Sequence, residues 1–159
     1  MKKILLFIFL AATPCLADNF SVQSSSWQDG QTIKNDYVLN THGCTGGNIS
    51  PEISWSNAPQ ETNNFMITIY DPDAQGGKGW MHWSLYNVPA NVSEIKEGAS
   101  LHPEKLPASA VEGPTSFGKP GYGGACPPIG DKPHHYILTV VALNKKILAK
   151  ASLTAIYGR

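Results

Sequence analysis

The stretch from Asn63 to Val88, NNFMITIYDPDAQGGKGWMHWSLYNV, leaves the backbone few alternatives. Phe65 to Tyr70 is a mostly apolar run rich in β-branched and aromatic residues, the composition of a buried strand. It stops at Asp71-Pro72-Asp73, because proline has no amide hydrogen to continue a ladder. Gly76, Gly77 and Gly79 then permit a tight reversal. Met81 to Val88 returns as the second strand. The hairpin brings Asp71, at the end of one strand, close to His82, at the start of the next. A carboxylate and an imidazole at a hairpin mouth form either a binding site or a structural hydrogen bond.

The chain has 159 residues and opens Met1-Lys2-Lys3, followed by an apolar run from Ile4 to Ala12 that is too short for a membrane-spanning helix. Pro14-Cys15-Leu16-Ala17 supplies small residues ahead of Asp18. Residues 1–17 therefore read as a cleaved secretory signal peptide, and residues 18–159 as a single domain, periplasmic or secreted. Pro14 stands where a lipid-anchoring Cys15 would need a small neighbour, which disfavours a lipoprotein anchor. Lysine plus arginine and aspartate plus glutamate are balanced at 12 each, and no basic stripe is present, so the composition gives no nucleic-acid footprint. No second apolar segment is long enough to span a bilayer. Once the leader is removed, Cys44 and Cys126 remain, and two cysteines in an exported chain suggest one disulfide.

Taken in order, Phe20 to Trp27 could form an opening strand, and Asp29-Gly30 a turn. Thr41 to Ser50 is a glycine-containing loop, and Pro51 to Trp55 reads as an edge strand, where proline is tolerated. Asn91 to Ala99 is short and polar enough for one helical turn. Ser100 to Lys132 shows no periodicity and is dense in proline and glycine; a loop of that length in a small domain is usually functional or disordered, and Cys126 favours order. His134 to Leu143 is the second strong strand, and Ala151 to Tyr157 a final one. The fold class is mostly β.

Four residues stand out for chemistry: Asp71, His82, His134 and Tyr136. His134 and Tyr136 lie two apart on one strand and so share a face. If that strand joins the central hairpin's sheet, all four surround one pocket. Imidazoles, a phenol and the backbone amides of the glycine loop before Cys126 are donors suited to an anion such as phosphate. Asp71 would orient one histidine and favour its charged form. The plain alternative is that each histidine is a satisfied polar group near a strand end. Alternation points Asp73 and His135 the other way, toward solvent. His42 and His102 sit in loops without a pattern, and Trp80 and Trp83 read as core or pocket wall. Asp71, His82 and His134 would also suit a three-ligand zinc hydrolase, but no HExxH spacing supports it, and no G-x-S-x-G elbow supports a serine hydrolase.

These residues resemble the phosphatidylethanolamine-binding protein (PEBP) family, also called Raf kinase inhibitor-like, and in particular its bacterial YbhB/YbcL-type branch. The resemblance is carried by Gly47-Asn48-Ile49-Ser50-Pro51, Asp71-Pro72-Asp73-Ala74, Gly79-Trp80-Met81-His82-Trp83, Gly121-Tyr122-Gly123-Gly124, Cys126-Pro127-Pro128 and Pro133-His134-His135-Tyr136, and it spans nearly all of the domain. It implies a β-sandwich with a large central antiparallel sheet and few short helices. It also implies a small pocket for phosphate-bearing groups, with Asp71, His82, His134, Tyr136 and Pro128 at its positions. The resemblance implies a non-catalytic binder of a phosphate-bearing small molecule or phospholipid head group, without cofactor or metal, that modulates a kinase or protease partner. A surface-acting enzyme inhibitor is the alternative from another class. The Cys44–Cys126 bridge would pin the glycine loop to the pocket rim. Departures from the family pattern are Gln75, His135 and the four residues Asn144 to Ile147, which replace a helix-containing stretch.

Overall fold

The computed structural model describes residues 20–159, so the expected leader and its expected cleavage point lie outside the described residues. The strands are β1 (Ser21–Gln23), β2 (Ile53–Ser56), β3 (Asn64–Asp71), β4 (Trp80–Pro89), β5 (Glu94–Ile95), β6 (Val111–Glu112), β7 (His134–Asn144) and β8 (Lys146–Tyr157). They form a five-stranded antiparallel sheet in the order β6-β4-β3-β7-β8 and a three-stranded antiparallel sheet in the order β1-β2-β5. Helix among the described residues is limited to one irregular turn at Ala74–Gly77 and two short 3-10 segments, Asn35–Tyr37 and Pro103–Lys105.

Strand β3 is central because it alternates without a break. Phe65, Ile67 and Ile69 are buried on one face, and the intervening residues are only partly covered. The buried row meets Trp83, Leu85 and Val88 of β4 and Leu138 and Val140 of β7. The small sheet closes over this face through Ile53, Trp55 and Ile95. The Trp55 ring meets Phe65 edge-on at 5.1 Å, and Phe20 stacks on Phe65 at 6.3 Å. The core therefore lies between the sheets, and Asp71 continues the inward row of β3 at one end of it.

Three readings change. The segment expected as an edge strand, Pro51 to Trp55, begins pairing only at Ile53, and β2 lies in the middle of the small sheet. Pro51 falls outside the ladder, so its missing amide interrupts nothing. The helical turn expected in Asn91 to Ala99 is instead β5, whose Ile95 is buried opposite Ile53. The final strand starts five residues earlier than Ala151, at Lys146. Asn144 pairs with Lys146 around Lys145, whose φ of 54° makes the tight reversal. The four residues Asn144 to Ile147 thus join β7 and β8 into one long hairpin.

Candidate functional site

Strand direction places the chemistry at one end of the large sheet. Asp71 ends β3, His134 and Tyr136 open β7, and His82 lies near the start of β4. Alternation along β7 turns His134 and Tyr136 inward together, at 5% and 1% exposure. Alternation does not account for His82. Ile69 pairs with Trp83 and Tyr70 with Met81, which leaves His82 as an extra residue without a partner on β3. Such a bulge re-aims a side chain, and here His82 is buried beside Trp83 instead of facing away from it. Its ring meets Tyr136 at 5.1 Å and Phe117 at 5.5 Å, both edge-on.

The hairpin mouth does not pair Asp71 with His82. Asp71 Oδ2 accepts from His134 Nδ1 at 2.7 Å, while Asp71 Oδ1 accepts from the amides of Asp73 and Ala74 at 2.8 and 3.1 Å. His82 Nδ1 lies 2.7 Å from the Gly123 carbonyl, which can only accept, so the Nδ1 hydrogen is held there. Each imidazole is thus anchored through Nδ1 and keeps Nε2 for other partners. His134 Nε2 stands 3.6 Å from Asp131 Oδ2, a carboxylate the sequence reading did not single out. Burial pulls His82 below the usual imidazole range, although the carbonyls of Gly123 and Gly124 and the Asp71 carboxylate favour its charged form. Burial, reinforced by Asp71, pushes the Tyr136 phenol far above its ordinary value, so at neutral pH it keeps its hydrogen.

The glycine loop has a different role from the one expected. The amides of Tyr122, Gly123 and Gly124 are taken by Ser100 Oγ, the His82 carbonyl and Asn48 Oδ1, at 2.7, 3.0 and 2.8 Å. They are not free to hold an anion. Instead Gly123 clamps His82 from both its amide and its carbonyl. Gly124 packs against the backbone near Tyr37, where a Cβ would clash with the Tyr37 carbonyl oxygen. The Cys44–Cys126 disulfide forms as expected. Arg159 braces it, donating from Nε to the Pro127 carbonyl and from Nη1 to the Gly43 carbonyl.

Together these elements enclose a cleft of about 250 Å³, lined by Asp71, His82, His134, Tyr136 and Pro128. Leu39, His42, Gln75, Trp80, Phe117 and Cys126 are also among the residues that line it. His42, expected to carry no pattern, is therefore a wall residue. The pairing of Val38 and Leu39 with Ala125, together with the disulfide, brings it there, so no local signal could have marked it. Asp73 and His135 do face outward, but they bond to each other at 2.8 Å. The His135 backbone amide and ring hold the Asp73 carboxyl below its usual range. Asp71, His82 and His134 do not assemble as a metal site: among the described residues, no cluster of three or more histidine, cysteine or acidic side chains is placed to hold an ion. No helix among the described residues is long and apolar enough to cross a membrane.

Residues 23–157 match the family model described as phosphatidylethanolamine-binding protein. The chain is 45% identical over 144 residues to the UPF0098 protein YbcL of Escherichia coli, covering 90% of this chain and 77% of that protein. It is 40% identical over 121 residues to the UPF0098 protein YbhB of the same organism, covering 76% of each. The crystal structure of Escherichia coli YbcL, described as a new member of the mammalian PEBP family, superposes with a TM-score of 0.83 at 39% identity, over 88% of this chain and 98% of that one. A Chlamydia trachomatis homologue, CT736, superposes with a TM-score of 0.73 at 27% identity, over 89% and 99% of the two chains.

Proposed function

We propose, from the premise that this chain belongs to the phosphatidylethanolamine-binding protein family, that it is an exported, non-catalytic receptor for a phosphate-bearing small molecule or phospholipid head group. The observation that carries this reading is the convergence of His82, His134 and Tyr136 on one small cleft, each imidazole anchored through Nδ1 with Nε2 remaining. A phenol hydroxyl and two imidazole edges recognise the oxygens of a tetrahedral anion by hydrogen bonds. The apolar wall of Trp80, Phe117 and Pro128 excludes water around it and strengthens those bonds. Binding of this kind needs no covalent step.

Export is supported by the apolar leader and by the Cys44–Cys126 bridge, which persists in an oxidising compartment. Through this pocket the protein would act as a ligand-dependent modulator of a kinase or protease.

The test is an NMR titration of the oxidised domain with phosphorylethanolamine, following amide and imidazole signals. Saturable shifts centred on His82, His134 and Tyr136 are expected. Dispersed spectra without shifts at millimolar ligand would overturn the pocket reading and leave a surface-acting interaction protein.

A further inference from the structure

Among the described residues, neither lysine nor arginine lines the cleft, so none supplies a fixed positive charge there, while the Asp71 carboxylate is buried at its edge. His82 is packed against Asp71 from β3, His134 and Tyr136 from β7, Phe117 and the carbonyls of Gly123 and Gly124. None of these is a permanent cation. Because the Gly123 carbonyl holds the hydrogen on Nδ1, the neutral ring presents a lone pair at Nε2. Burial favours this neutral form. A fully ionised anion oxygen brought to that lone pair would find no hydrogen to share. Tyr136 differs: burial keeps the hydrogen on its hydroxyl, which can donate it to a ligand oxygen.

Resting on the phosphate reading above, we infer that the pocket takes its ligand together with one proton. His82 Nε2 is then the specificity determinant that selects a protonatable phosphate monoester over a sulfate ester. The proton lies between a phosphate oxygen and Nε2. A phosphate monoester ionises for the second time near pH 6, so below that pH it brings the proton itself, and above it the proton comes from solvent. A sulfate ester has no such proton to bring. It either meets the bare Nε2 or requires the buried ring to be charged.

The experiment is titration calorimetry of the oxidised protein with phosphorylethanolamine and with ethanolamine sulfate, each in buffers of different ionisation enthalpy. At pH 7.5 about one proton should be taken up per phosphorylethanolamine bound, and at pH 5 close to none. The sulfate should bind about ten- to a hundredfold more weakly at pH 7.5, since an unmatched buried acceptor is costly. In His82→Gln, proton uptake and the preference for phosphate should both fall away. Equal affinity for the two esters with no proton uptake would overturn the inference and leave the phosphate pocket standing. Uptake that persists unchanged in His82→Gln would overturn the assignment to His82. No binding of either ester would overturn the phosphate pocket itself, and this inference with it.

Discussion

His134 Nδ1 lies 2.7 Å from Asp71 Oδ2, across 63 residues of chain, and both side chains are nearly sealed from solvent at 7% and 3% exposure. The carboxylate has no freedom left, because its other oxygen is bound by the amides of Asp73 and Ala74. The turn that ends β3 therefore fixes the carboxylate, and the carboxylate fixes the imidazole. This relay sets the direction of His134 Nε2.

Asp71→Asn tests that relay. An amide presents one oxygen where the site needs two, so either His134 or the turn amides lose their acceptor. Affinity for phosphorylethanolamine should fall about ten- to a hundredfold, the usual cost of losing a buried hydrogen bond to a charged group. Calorimetry gives the affinity, and the His134 imidazole signals should broaden or move. An unchanged affinity would mean that the orientation of His134 does not matter to binding.

Tyr136→Phe removes the hydroxyl but keeps the ring that packs on His82 at 5.1 Å. Affinity should drop roughly three- to tenfold with the fold intact, in line with one neutral hydrogen bond. Comparing binding isotherms with far-ultraviolet circular dichroism separates the two effects.

The double substitution Cys44→Ser with Cys126→Ser opens a loop whose ends are 82 residues apart. In the chain-entropy model this costs about 4.5 kcal/mol. For a domain of this size the midpoint of thermal unfolding should fall by roughly 15 °C. The loss of anion affinity should exceed the loss of fold, because Cys126 and Pro127 belong to the pocket wall. Thermal melts of the two forms, with and without reductant, provide the measurement.

The pH dependence of stability should carry the signature of His82. Its folded value lies below the ordinary imidazole value of 6.5 because of burial, so in this range the unfolded chain takes up the proton first. His82 contributes no penalty above pH 6.5. As pH falls below 6.5 the domain should lose stability until the folded ring is protonated as well. Denaturant midpoints between pH 8 and pH 5 should decline, and the decline should be smaller in His82→Gln. Equal slopes in the two proteins would refute a buried neutral His82.

Much of the domain is legible in the chain alone, because it depends on local rules. Alternation marks β3, Pro72 stops it, and the glycines after it permit the reversal into β4. The spacing of His134 and Tyr136 puts both on one face. Cys44 and Cys126, the two cysteines outside the expected leader, suggest one pair. Tertiary structure decided what those rules cannot reach. Strand period alone would turn His82 away from Trp83, and only the bulge set by pairing with β3 brings it inward. Proximity along the hairpin suggested Asp71 for His82, but β7 entering beside β3 gave that carboxylate to His134. The glycine loop has the composition of an anion cradle, yet its amides are consumed by Ser100, His82 and Asn48, all distant in sequence. A hydrogen bond is settled by which partner arrives in three dimensions. The identities of the pocket residues therefore belong to the sequence, while the direction of each nitrogen and the hydrogen it carries belong to the register and closure of the sheet.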